Sequence, residues 1–152
     1  NFFDLIICSE VLEHLEDYHA ALKEIYRVLK PAGNFLPSVP SYWPEKICWL
    51  LSKDYQNMPG GHVRIFKKNQ LINEVSSYGF QYSISERFHG FHSAYWWLRC
   101  SFWKNQDSNF LVNIYKKFLE YHILKNPAWL NVFERIINPI FGKSIAFYFE
   151  KK

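Results

Sequence analysis

Residues 3–15 read Phe3-Asp4-Leu5-Ile6-Ile7-Cys8-Ser9-Glu10-Val11-Leu12-Glu13-His14-Leu15. The run from Leu5 to Cys8 is apolar and has the length of a strand buried on both faces of a sheet. A polar segment that contains His14 begins where this strand ends. Because ligands of open α/β sheets bind beyond the carboxyl ends of the strands, we expect a binding site in this segment.

A helix and a second strand complete a βαβ unit. The helix is expected to begin after Asp17, whose carboxylate suits an N-cap, and to end at Lys30-Pro31-Ala32-Gly33. Its apolar face is formed by Leu22, Ile25 and Leu29. The second strand is predicted over residues 34–39. Pro37 is unexpected inside an interior strand, because proline cannot donate a ladder hydrogen bond; a bulge, a shortened strand or drift from function would explain it.

Further motifs lie within this unit and after it. They are Arg27-Val28-Leu29-Lys30-Pro31, Gly33, Gly61-His62-Val63-Arg64-Ile65-Phe66, Leu71 and Gly79-Phe80. With them, the chain resembles class I S-adenosylmethionine-dependent methyltransferases of the group that acts on small molecules and lipids. The resemblance covers roughly residues 3–84 and resumes at residues 143–150. It implies S-adenosylmethionine as cofactor and a Rossmann-like α/β sheet, of which this chain holds the fourth to seventh strands, the last one antiparallel.

Two parts of the family pattern have no counterpart in the sequence. One is the Gly-rich loop after the first strand, and the other is the acidic residue that ends the second strand and binds the ribose hydroxyls. The only methionine is Met58, so Asn1 is not an encoded start. We therefore interpret the chain as the carboxy-terminal half of a methyltransferase, and we expect it to be inactive alone.

Three regions are predicted. Residues 1–92 are assigned to the α/β core, residues 93–140 to a helical insertion and residues 141–152 to a final edge strand. Aromatic residues make up 20% of the chain, and many fall in the insertion. They are expected to form the insertion's own core, or else to line a pocket for an apolar acceptor or to contact a membrane surface through residues 93–104.

Charge and cysteine content exclude some classes of function. The net charge is +4, and the lysine pairs at 67–68, 116–117 and 151–152 form no continuous basic stripe, so we expect no nucleic-acid partner. Three widely spaced cysteines fit a reducing compartment, which favours a cytoplasmic protein with peripheral membrane contact as an option. The sequence does not indicate an oligomeric state.

The resemblance assigns roles to residues near the strand ends. Cys8, Ser9, Glu10 and Leu15 are expected to line the cofactor site. His14 and His62 are the candidate catalytic residues, because a neutral histidine can accept a proton near pH 7. Alternatively, Glu10 and His14 cap and orient the next helix, and His62 belongs to a loop that only positions the helix after it.

Acceptor binding is assigned to Tyr42, Trp43 and Arg64, with packing and loop positioning as the alternatives. The spacing His89-x-x-His92 suits a metal, but the sequence shows no third ligand nearby, so we expect no metal site. The predicted function is methyl transfer to a small, apolar or lipid-like acceptor. The alternative is a non-catalytic module that uses its aromatic helices for membrane or protein contact.

Overall fold

The computed structural model describes all residues 1–152. Four strands and seven α-helices follow one another along the chain. In order they are β1 (Phe3–Ser9), α1 (Tyr18–Val28), β2 (Leu29–Pro40), α2 (Tyr42–Leu51), α3 (Lys53–Gln56), α4 (Lys68–Ser77), β3 (Phe80–Phe88), α5 (Gly90–Ser101), α6 (Phe110–Lys125), α7 (Ala128–Phe141) and β4 (Ser144–Lys151), with a 3₁₀ turn at Trp103–Asn105. None of the helices is both long and apolar enough to span a membrane.

The chain divides into two compact units. The first contains residues 1–42, 62–86 and 144–152, and the second contains residues 43–61 and 87–143. The sequence instead predicted a helical insertion at residues 93–140, with residues 43–61 in the core. The difference arises because α2 and α3 share an aromatic cluster with α5, which periodicity along the chain does not reveal.

The first unit contains a four-stranded sheet in the order β1-β2-β4-β3. The pairing of β1 with β2 is parallel, as expected for a βαβ unit, and the pairing of β2 with β4 is antiparallel. The prediction that residues 141–152 form an edge strand was wrong, since β4 lies between β2 and β3. Its alternate residues Ile145, Phe147 and Phe149 are buried in the main hydrophobic core, as an interior strand requires.

Strand β1 is less buried than its composition predicts. It lies at one edge of the sheet, and Leu5 and Ile7 are 49% and 65% exposed. The other face of the strand packs inward, where Ile6 and Cys8 contact the main core. An apolar run at a sheet edge therefore has one covered face and one open face here, although the residues themselves would suit burial on both.

Pro37 fits into β2 without a bulge and without shortening the strand. It pairs in register with Cys8 of β1 and is fully buried. On the other side, pairing with β4 includes Phe35 and resumes at Ser38, so the ladder omits only Leu36 and Pro37. Because proline has no N–H to donate, an interrupted ladder is the local effect expected. The expectation of a bulge at Pro37 and the expectation of a shortened strand were therefore both wrong.

The second unit is helical and contains two aromatic clusters. The first is centred on Cys48, Tyr55 and Cys100, against which Trp49, Trp96, Trp97 and Trp103 pack. The second is centred on Phe91, Leu119 and Leu130. Buried Glu45 is satisfied by an ion pair with Lys143 and by the Tyr55 hydroxyl, which donates to its Oε1 at 2.8 Å. These contacts favour the interpretation that the aromatic residues of 93–104 form an internal core.

Candidate functional site

The segment after β1 leaves the sheet through a tight turn. Glu10 has a φ of 52°, in the left-handed region, and its N–H donates to the Ser38 carbonyl at 3.0 Å. The Ser38 hydroxyl donates to Glu10 Oε1 at 3.2 Å, and the Ser9 and Ser38 hydroxyls are 3.1 Å apart. The carboxyl ends of β1 and β2 therefore present a small group of hydroxyls and one carboxylate.

Arg64 holds the next part of this segment, residues 12–16, in place. Its guanidinium donates to the carbonyls of Leu12 at 3.2 Å and Glu16 at 2.8 Å, and also to the carbonyl of Leu15. The guanidinium carbon lies 4.7 Å from the centre of the Tyr18 ring, a cation–π distance. These contacts occupy Arg64 with its own chain, which favours the positioning role over acceptor contact.

The two candidate catalytic histidines meet next to a buried carboxylate. The ring centroids of His14 and His62 are 4.9 Å apart, edge to face. His14 Nε2 lies 4.0 Å from Glu13 Oε1, and the Glu13 side chain is fully buried. The Val63 N–H donates to the Glu13 carbonyl at 3.0 Å, which joins the loop after β1 to the Gly60–Val63 loop. Two segments some fifty positions apart thus supply one imidazole pair.

The other residues assigned to the cofactor lie along the same segment. Cys8 is half-buried, and burial, with a smaller contribution from the Glu13 charge, raises the pKa of its thiol. The group is therefore a neutral thiol near pH 7, unsuited to act as a nucleophile. Leu15 is half-buried and packs against the main core. The structure thus brings Cys8, Ser9, Glu10, His14 and Leu15 to one end of the sheet.

The predicted acceptor residues Tyr42 and Trp43 fall on either side of the division between the units. Tyr42 is half-buried in the first unit, with the Lys67 ammonium 5.7 Å from its ring centre. Trp43 is 62% exposed in the second unit, with Lys46 at 5.7 Å from its ring. Contact of these two residues with an acceptor stays a prediction.

Two groups of side chains have the composition of metal ligands. One is Glu13, His14 and His62, and the other is His89, His92 and Glu134; in each group the ligand atoms lie within 4.8 Å of one another. Glu13 was missed as a site residue in the sequence analysis, although it precedes His14 and is a carboxylate in a segment whose neighbours Leu12 and Leu15 are apolar. Glu134 carries no comparable signal, because it comes from a helix far along the chain.

Similar folds occur among solved structures. The cyclopropane synthase MmaA2 from Mycobacterium tuberculosis matches 99% of this chain and 56% of its own length at 14% identity, with a TM-score of 0.54. Phosphoethanolamine N-methyltransferase 2 from Haemonchus contortus, solved with S-adenosyl-L-methionine, matches 98% of this chain and 33% of its own at 17% identity and a TM-score of 0.53. The [4+2]-cyclase SpnF matches 99% of this chain and 50% of its own at 16% identity and a TM-score of 0.53.

At these identities the solved structures establish the fold alone, and the chain spans about half of the length of the first of them. A sequence comparison with curated proteins gave no match. The model of the family described as "Methyltransferase domain" matches residues 1–83, which is more than half of the chain. The α/β fold class and the resemblance inferred from sequence are both confirmed. The chain belongs to the methyltransferase domain family.

Proposed function

We propose that this chain supplies the acceptor side and part of the cofactor side of a site for methyl transfer from S-adenosylmethionine to a small molecule. The observation that carries the proposal is the pair of imidazoles, 4.9 Å apart, that share the carboxyl end of β1 with the hydroxyls and carboxylate around Glu10. Family membership makes this end of the sheet the expected ligand crevice.

The residues around Glu10 have the chemistry that the cofactor requires. S-adenosylmethionine supplies an activated methyl group on a sulfonium centre. A carboxylate, carbonyl oxygens and neutral hydroxyls favour a nearby cation, and Glu10, Ser9 and Ser38 provide them within one hydrogen-bonded cluster. The neutral thiol of Cys8 adds a small, unreactive wall next to that cluster.

The two histidines serve in this proposal as proton acceptors. A hydroxyl or ammonium acceptor must lose a proton when it is methylated, and a neutral imidazole can take it near pH 7. Glu13 Oε1 lies 4.0 Å from His14 Nε2, so a carboxyl group adjoins the imidazole that would take the proton. His14 is 37% exposed, which leaves its ring accessible to a ligand.

Placement of the acceptor is the larger part of the rate enhancement expected here. Holding two reactants in a productive geometry can contribute about 7–11 kcal/mol in favourable cases. The triple contact of Arg64 with the carbonyls of residues 12–16 fixes the backbone that carries His14. We therefore propose that Arg64 is a positioning residue. Within the first unit, Tyr42 is the residue proposed to contact a small acceptor, and its aromatic ring favours an apolar or lipid-like one.

Cofactor binding is tested by calorimetry on two proteins, the 152-residue chain and a longer protein in which it is preceded by its upstream coding sequence. We expect tight S-adenosylmethionine binding by the longer protein and much weaker binding by the chain alone, because residues 1–152 contain no counterpart of the family's Gly-rich loop or of its ribose-binding acid. Tight binding by the chain alone would contradict this division of the cofactor site.

The role of the histidines is tested in the longer protein. His14→Ala and His62→Ala should lower kcat by about 10²–10⁴-fold with cofactor affinity and melting temperature nearly unchanged. His19→Ala is the matched control, because this exposed histidine bonds only the Tyr78 hydroxyl. If a chelator abolishes the activity and a divalent cation restores it, the result would contradict proton acceptance by the histidines. It would instead support metal binding by Glu13, His14 and His62.

A non-catalytic module is the second candidate, because α6 and α7 leave large apolar side chains exposed, among them Phe110, Leu124, Trp129 and Ile136. It would use aromatic helices for membrane or protein contact, with 93–104 as the contact segment. Against it, Trp96, Trp97 and Trp103 pack around Cys48, Tyr55 and Cys100. A cytoplasmic enzyme without stable membrane attachment is therefore the proposal we favour, and absence of cofactor binding by the longer protein would favour the module.

A further inference from the structure

Three ligand-type side chains of the second unit come together on two helices. His89 is the N-cap of α5, His92 lies within the first turn of that helix, and Glu134 belongs to α7. One ligand atom from each lies within 4.8 Å of the other two. The third ligand that the sequence analysis did not find is therefore present, contributed by a helix 42 positions after His92.

The two helices are held together where these residues meet. The Gly90 N–H donates to Asn138 Oδ1 at 2.8 Å, and the Phe91 N–H points to Glu134 Oε1 at 3.4 Å. A Cβ added at Gly90 would lie only 2.9 Å from Ile137 Cγ1, so glycine is what allows α5 and α7 to approach so closely. The approach of the helices brings the Glu134 carboxylate to the histidines.

The histidines themselves are arranged as neighbours on one turn. His89 adopts a left-handed backbone, with φ 65° and ψ 48°, a conformation that histidine tolerates better than most residues. The two ring centroids are 5.1 Å apart. His92 Nδ1 is buried and makes no hydrogen bond, which is a costly state for a ring nitrogen.

We propose that His89, His92 and Glu134 bind a zinc ion that links the start of α5 to α7. Ligand atoms of a tetrahedral zinc site are about 3.3 Å apart, given bonds of about 2.0–2.1 Å, so small side-chain rotations convert the present arrangement into a site. Two imidazoles and one carboxylate favour zinc over magnesium or calcium, which prefer oxygen ligands throughout. His89 is exposed, so an ion can enter from solvent and keep water as its fourth ligand.

The test is a zinc titration of the chelator-treated 152-residue chain, followed by calorimetry and by the visible spectrum of the cobalt-substituted protein. The control is the double variant His14→Ala/His62→Ala, which removes the other ligand group. We expect the wild type and this control each to bind one equivalent of zinc at His89, His92 and Glu134. With cobalt in its place, both should give the visible spectrum of a tetrahedral site. His92→Ala and Glu134→Gln should each weaken that binding at least about tenfold.

Fold integrity is checked by circular dichroism, and His89→Gln is a further variant that leaves the α5–α7 contacts at Gly90 and Phe91 untouched. It should lower zinc affinity and abolish the zinc-dependent rise in melting temperature. Unchanged zinc affinity in folded His92→Ala, Glu134→Gln and His89→Gln would overturn the proposal. So would a wild type that binds no zinc, or binding that disappears in the His14→Ala/His62→Ala control.

Discussion

Replacement of Arg64 by alanine separates a positioning residue from an acceptor-binding one. The substitution removes donors from the carbonyls of Leu12, Leu15 and Glu16 and the cation over the Tyr18 ring. A hydrogen bond to a charged group contributes about 1.5–3 kcal/mol, but the Glu16 contact is exposed and the three contacts share one side chain. We therefore expect a loss of about 2–4 kcal/mol in the free energy of unfolding.

For a chain of this size, such a loss lowers the melting temperature by roughly 4–16 °C. Differential scanning calorimetry of the 152-residue chain measures it. The matched control is Arg27→Ala, which removes an exposed arginine that pairs with exposed Glu24 and should leave the melting temperature almost unchanged. Arg64→Lys should behave like Arg64→Ala, because one ammonium cannot reproduce the planar guanidinium that reaches three carbonyls.

Kinetics of the longer protein give the second half of the test. If Arg64 orders the segment that carries His14, its loss lowers kcat while KM for the acceptor changes little. If Arg64 contacts the acceptor, KM rises while kcat and the melting temperature are preserved. The second pattern would refute the positioning role derived from the three carbonyl contacts.

Further predictions concern buried groups and the aromatic helices. Glu45→Gln leaves the Lys143 charge buried without its counterion and should lower the free energy of unfolding, measured in urea, by about 3–5 kcal/mol. The double variant Glu45→Gln/Lys143→Met removes both charges and should recover much of that loss. Because burial raises the pKa of its thiol, Cys8 should react with iodoacetamide more slowly than a free cysteine peptide at pH 8, and its reaction rate should still rise above pH 9. Mass spectrometry of the Cys8 peptide measures the rate. A rate equal to that of the free peptide would contradict the burial of the thiol. In vesicle co-sedimentation, the wild-type chain should stay in the supernatant with anionic vesicles. The double variant Trp96→Ser/Trp97→Ser should have a lower melting temperature, because both rings pack in the cluster around Cys48, Tyr55 and Cys100. Vesicle binding by the wild type that the double variant loses would instead support the membrane role.

Local sequence carried enough information for the βαβ unit. Neighbouring residues predict strand β1 and its parallel pairing with β2. They also predict the helix cap at Asp17, whose carboxylate accepts from the Ala20 N–H at 3.0 Å. The predicted and observed element bounds differ most at residues 29–33, where the expected turn is instead the first part of β2. There the pairing of β2 with β1 has an irregular register, between Phe3 and Leu5. Ala32 has a φ of 59° there, so a turn-like conformation is accommodated inside the strand.

Long-range contacts explain what sequence reasoning could not supply. The place of β4 depends on pairing with β2 across most of the chain, and no local pattern encodes which strand it joins. The two predicted imidazoles lie next to each other, and their role stays a prediction. Glu13 lies beside them in a segment that the bond from the Val63 N–H to the Glu13 carbonyl joins to the His62 loop. Glu134 reaches His89 and His92 through helix packing, a relation that spacing along one segment cannot show.

The position of β4 also bears on how the chain acquires its sheet during synthesis. Phe35 of β2 pairs with Phe149 of β4, and β3 neighbours β4 rather than β2. At a translation rate of about 5–20 residues per second, roughly 6–23 s separate the synthesis of the two paired phenylalanines. During that interval β1 is the one neighbour of β2 in this sheet that has been made, and β3 lacks β4, its neighbour in the sheet. Nascent chains stalled before residue 144 should therefore expose an unpaired strand edge to chaperones and proteases, and release of the last strand should close it.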